Sequence, residues 1–166
     1  YFLGSILSGG GSVPDDNTTK GWVNMVNRYQ TQALSTRLKI PLIYGIDAVH
    51  GHSNVVGATI FPQNIGLGCA NDPELVYQIN QATAVEVGAT GLHWTFSPCI
   101  TVPKDDRWGR QYEGFSESTS LVTRLTHAAI TGYEDELDKL NGRKIAACAK
   151  HFIGDGGTSW ETGTLQ

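Results

Sequence analysis

Short apolar runs alternate with longer stretches in which apolar residues return every three or four positions. The runs Leu3–Leu7, Pro41–Ile46, Leu92–Phe96 and Lys144–Ala149 read as buried strands. Between the first two, Trp22, Met25, Val26, Tyr29 and Ala33 fall on one stripe of a helix. A second helix begins at Asn71-Asp72-Pro73-Glu74. Asp72 can accept from free backbone N–H groups, Pro73 suits the first helical position, and Glu74 favours the positive helix end. Its stripe is Leu75, Val76, Ile79 and Ala82. A third helix starts near Ser116, carries Leu121, Val122, Leu125, Ala128 and Ala129, and stops around Gly132. Aromatic residues on these stripes are read as core.

Strand, helix, strand, helix implies parallel strands joined by right-handed crossovers, an α/β fold. Loop lengths choose between an open sheet and a closed barrel. Helix-to-strand connections are short, at Arg37–Ile40 and Gly88–Gly91. Strand-to-helix connections are long, at Ser8–Asn17, Asp47–Asn71, Pro98–Ser116 and from His151 onward. Long loops on one face are how a barrel builds its site. No G-x-G-x-x-G follows a strand, and Gly9-Gly10-Gly11 lacks the Lys-Ser/Thr of a phosphate loop. About four strand–helix units fill the chain, where a complete barrel takes about 250 residues. The expected fold is therefore the first half of a (β/α)8 barrel, with residues 1–166 as part of one domain.

Composition narrows the partners. The chain has 166 residues, 40% hydrophobic and 17% charged, enough for one domain with a core. Its net charge of −4 and pI near 5.7 argue against nucleic acid. No apolar run approaches the roughly 20 residues of a membrane helix. The start at Tyr1-Phe2-Leu3-Gly4 and the end at Leu165-Gln166 read as cuts, so targeting signals are not expected within the chain. Cys69, Cys99 and Cys148 match no metal spacing and are expected to be buried free thiols.

The strand ends carry the candidate chemistry. Asp47-Ala48-Val49-His50-Gly51 follows the second strand, Asp105 to Glu113 follows the third, and Lys150-His151-Phe152 ends the fourth. In a barrel these converge on one mouth. Asp47, Arg110, Lys150 and His151 offer acceptors and donors in several directions, as a ring of sugar hydroxyls requires. Each also has a plainer reading. Asp47 can cap a turn, Arg110 can clamp Glu113 or Glu117, and Lys150-His151 can be a solvated strand end. Trp108 or Tyr112 offers an apolar face to a sugar, or packs the loop. His50, His52 and His93 raise a weaker metal reading, since His-x-His lies here several residues past the strand end. Lys150 raises a Schiff-base reading, which wants a desolvated amine; the adjacent His151 and nearby Asp155 argue against it.

Taken together, several long motifs in order resemble glycoside hydrolase family 3. They are Leu7 to Ser12, Ile43-Tyr44-Gly45-Ile46-Asp47-Ala48-Val49-His50-Gly51, Ala58 to Pro62, Asp106-Arg107-Trp108-Gly109-Arg110-Gln111-Tyr112-Glu113, and Ala147 to Thr158. The resemblance is greatest to the β-glucosidase and exo-β-glucanase branch. It implies a (β/α)8-type barrel in which Asp47, Arg110, Lys150 and His151 hold the terminal glucose in the −1 subsite. Asp155 stands where the family's β-N-acetylglucosaminidases carry the His of an H-G pair, and Ser159-Trp160-Glu161 shows no D-x-H, whose last His is their acid/base; this favours the glucosidase branch. The resemblance further implies a retaining mechanism, a β-glucoside or β-glucan substrate, no cofactor, no metal, and a secreted or periplasmic location. No residue of the chain matches the family's nucleophile Asp or acid/base Glu. Both are expected beyond Gln166, in the remaining barrel half and a second domain, so the 166-residue chain alone is expected to be inactive, at most a weak sugar-binding unit.

Overall fold

The computed structural model describes residues 3–135 and 144–159. Three parallel strands, β1 (Ser5–Ser8), β2 (Ile43–Ile46) and β3 (Trp94–Thr95), form one sheet in chain order. The register pairs Ser8 with Ile46 and Ile46 with Thr95. The strand expected at Lys144–Ala149 is reduced to parallel single-residue bridges, Trp94 with Ala146 and Cys99 with Lys150. It still runs beside β3 in fourth place. Ala146 N donates to His93 O, Thr95 N to Ala146 O, Cys148 N to Ser97 O, and Ile100 N to Lys150 O. The cis Ser97–Pro98 bond lies within this edge.

Four helices cover the sheet: α1 (Thr19–Leu34), α2 (Asn64–Ala70), α3 (Pro73–Ala89) and α4 (Thr119–Glu134). α1 opens on Thr18, whose side chain accepts from Gly21 N. α3 starts as its sequence dictates, with Asp72 Oδ1 accepting from Glu74 N and Leu75 N at 3.0 and 3.1 Å and Pro73 in the first turn. α4 begins three residues later than Ser116 and ends past Gly132. The seven-residue α2 has no counterpart among the elements expected from the sequence. It is weakly patterned and carries two glycines, one of which is required: a Cβ on Gly68 would lie 1.7 Å from Phe115 O.

Two apolar clusters hold these layers. Trp22, Val26, Tyr44, Ile46, Ala84, Val87, Leu92, Tyr133 and Ile145 fill the space between the sheet and its helices. Leu67, Val76, Ile79, Phe115, Val122 and Leu125 join α2, α3 and α4. Each such fully buried side chain contributes about 1.5–3 kcal/mol. Tyr133 reaches from α4 to the strand ends, donating to Ala48 O at 3.2 Å and meeting Ser97 Oγ at 3.0 Å. That buried contact ties the loops after β2 and β3 to the helical layer. Tyr29 departs from the core reading, being 45% exposed. Among the described residues no helix is long and apolar enough to cross a membrane.

Candidate functional site

Asp47 is the first residue after β2 and is approached from two sides. Asn54 Nδ2 donates to its carbonyl at 2.9 Å. Gly9, at the end of β1, leaves room for its carboxylate: a Cβ there would lie 2.7 Å from Asp47 Oδ2. Lys150 comes from the fourth edge segment, anchored by Lys150 N to Pro98 O and Ile100 N to Lys150 O. Its Nζ meets Asp47 Oδ1 at 3.2 Å. The lysine side chain is 12% exposed and the aspartate 43%. A lysine held by a carboxylate is built as a charged donor, which counts against the Schiff-base reading.

Arg110 lies in the loop after β3. Its Nε and one terminal nitrogen donate to the two oxygens of Glu113 at 2.6 and 2.7 Å, a forked pair. Glu113 ends the one-turn helix Gln111–Glu113, and its carbonyl accepts from Asn64 Nδ2. Burial pushes the Glu113 carboxyl up, but the Arg110 fork, Lys150 and His151 together outweigh it and hold the carboxyl below its usual range. Of the plainer readings for Arg110, the clamp on Glu113 is therefore present, with the arginine side chain still 40% exposed. The other arginine of the motif, Arg107, pairs with Asp105, whose carboxyl it holds down at about 2 through hydrogen bonds.

His151 is held by Asp155, which opens the one-turn helix Asp155–Gly157. Asp155 Oδ2 accepts from His151 N at 3.1 Å and lies 2.8 Å from His151 Nδ1. The bonds Lys150–His151 and Phe152–Ile153 are cis. A carboxylate on Nδ1 leaves Nε2 for a ligand. Asp155 thus pairs directly with His151, a contact not expected from the sequence, where its i,i+4 spacing from His151 was the available signal.

The four predicted residues do not all touch. Asp47 contacts Lys150, while Arg110 and His151 join the group electrostatically. Glu113 senses Lys150 and His151, and buried Cys99 senses Glu113, Asp155 and Lys150. Trp108 is 2% exposed, with Gly156 directly under its ring, so it packs the loop; Tyr112 is 45% exposed. The three histidines of the metal reading do not converge. His50 Nδ1 meets Phe61 O, His52 is fully buried against Trp22, and His93 is exposed. All three cysteines are free; the expected burial holds for Cys99, is partial for Cys148 and fails for Cys69, which is exposed.

The family model for the glycosyl hydrolase family 3 N-terminal domain matches residues 1–165. The chain belongs to glycosyl hydrolase family 3. A lysosomal β-glucosidase of Dictyostelium discoideum is 34% identical over 165 residues, covering 93% of this chain and 20% of the relative. The crystal structure of an exo-1,3/1,4-β-glucanase from a Pseudoalteromonas species superposes with a TM-score of 0.89 at 46% identity, over 96% of this chain and 21% of that one. A β-glucosidase from Listeria innocua, solved in complex with glucose, gives 0.77 at 33% identity over 93% of this chain and 20% of its own. The chain thus spans about a fifth of the length of these relatives. Parallel strands with covering helices fit the family's α/β domain.

Proposed function

We propose that residues 1–166 form the first half of a (β/α)8 barrel and supply one wall of its −1 subsite. The whole enzyme, on this reading, removes terminal β-D-glucosyl residues from β-glucosides or β-glucans. The observation that carries it is the Asp47–Lys150 pair, drawn from two separate strand ends at 3.2 Å beside Arg110 and His151. Its support in kind comes from the Listeria relative, solved with glucose and, as a mutant, with laminaribiose.

The wall works by mixed hydrogen bonding. Asp47 accepts from sugar hydroxyls remote from the scissile bond, while Arg110, Lys150 and His151 donate to others. Contacts that tighten as the ring flattens toward an oxocarbenium-like state raise kcat. The bond-breaking carboxylates, an Asp nucleophile and a Glu acid/base, lie outside residues 1–166. The 166-residue chain alone then does not hydrolyse a β-glucoside. No cofactor or resident metal is invoked. A secreted or periplasmic location follows the same reading, alongside the lysosomal name of the Dictyostelium relative.

The test is kinetic. In the full-length enzyme, Asp47→Asn and Arg110→Ala each lower kcat/KM on aryl β-glucosides severely. Near-wild-type values for both would refute the assignment.

A further inference from the structure

Cys99, His151 and Asp155 are the one set of His, Cys, Asp or Glu side chains among the described residues close enough to share an ion. One ligand atom from each lies within 4.8 Å of the other two. We propose that these three residues form a binding site for a thiophilic divalent cation of the zinc class, next to the sugar wall.

Three observations carry the site. The donors are a sulfur, an imidazole and a carboxylate, a set that suits zinc or cadmium and not magnesium or calcium, which prefer all-oxygen shells. Tetrahedral zinc with bonds of about 2.0–2.3 Å needs donor atoms roughly 3.5 Å apart, so a small inward adjustment suffices. Two donors sit on fixed backbone: Cys99 pairs with Lys150 across the edge, one residue from His151, through bonds of 2.8 and 3.1 Å. Asp155 is already against the imidazole at 2.8 Å.

Charge also closes. A thiolate and a carboxylate neutralise a dication, and Glu113 on the same side adds to the attraction while Lys150 opposes it. On binding, the Cys99 thiol gives its proton to solvent, and the cation replaces the hydrogen bond between His151 and Asp155. Three protein ligands leave a fourth position open. A cation on His151 Nδ1 leaves Nε2 facing away from it, so the cation site stands independently of the proposed function.

Cadmium chloride titrated into the full-length enzyme tests this through the ultraviolet thiolate-to-cadmium charge-transfer absorption. The expected result is a saturable band that is lost in Cys99→Ser and shifted to at least about tenfold weaker binding in Asp155→Asn. No saturable band in the wild type, or a band unchanged in Cys99→Ser, overturns the site. Should Cys99→Ser fail to fold, His151→Gln read by titration calorimetry takes its place: tenfold or greater weakening supports the site and unchanged cadmium binding overturns it.

Discussion

Two parts of the wall are held together differently. Asp47 and Lys150 satisfy one another directly at 3.2 Å, so each is both a proposed sugar contact and the other's counter-charge. Arg110 and His151 instead have acids of their own, Glu113 and Asp155. A self-paired couple must share its hydrogen bonds with an arriving hydroxyl. A donor with a dedicated acid is aimed in advance and keeps that partner when the sugar binds. The first arrangement concentrates function in two residues, and the second spreads it over four.

The largest effects should come from the self-paired couple. Asp47→Ala removes an acceptor and strands Lys150, which is only 12% exposed. Truncating one partner of a buried hydrogen-bonded charge pair costs about 2–5 kcal/mol; with Asp47 43% exposed the upper end does not apply, and about 3 kcal/mol puts the fall in kcat/KM at roughly a hundredfold. Lys150→Met should cost about as much. A double mutant that loses much less than the two losses combined would show the coupling, and full additivity would break the idea of a shared pair.

Next come the dedicated acids, which act through their partners. Glu113→Gln keeps the side-chain shape but weakens the fork on Arg110, and should cost about tenfold to a hundredfold in kcat/KM. Asp155→Asn retains an acceptor for His151 and should cost about tenfold, while Asp155→Ala should cost several times more. Equal losses in Asn and Ala variants would mean that Asp155 supports the loop and does not orient the imidazole. Thermal melts of each variant separate the two cases.

Much of this was legible where the chemistry is local or sits at a strand end. The cap of α3 is written in three consecutive residues, Asp72, Pro73 and Glu74, and the helix begins there. Asp47, Arg110, Lys150 and His151 stood out as polar residues after apolar runs. What stayed hidden depends on tertiary fit. Gly68 looks like a helix breaker until Phe115 O is placed against it. Cys99 reads as an inert thiol until the edge segment brings His151 alongside. The fourth strand keeps its place but not its regularity, because its ladder to β3 shrinks to single-residue bridges. His50 belongs to the motif that carries Asp47 and His52 directly follows it, yet His52 turns away into the core beside Trp22.

His52 therefore supplies the contrast with His151 at the smallest expected effect. Among the described residues no carboxylate pairs with it. Its Nε2 meets Thr90 Oγ1 at 3.0 Å, its Nδ1 has no partner among the described residues, and burial pushes its pKa down to about 4. The unfolded chain holds this imidazole near 6.5. Between those values the unfolded state binds more protons than the folded one, so stability rises with pH. The contribution is complete above 6.5, declines as pH falls and is gone below about 4, a span of about 3 kcal/mol. No activity loss is required for it. Denaturant melts of the full-length enzyme from about pH 7 to 4 should show that slope, and His52→Gln should flatten it even where the variant is less stable at neutral pH. An unchanged slope would mean that the buried ring is reached by water when protonated, and that the difference between a histidine with an acid and one without is smaller than the geometry implies.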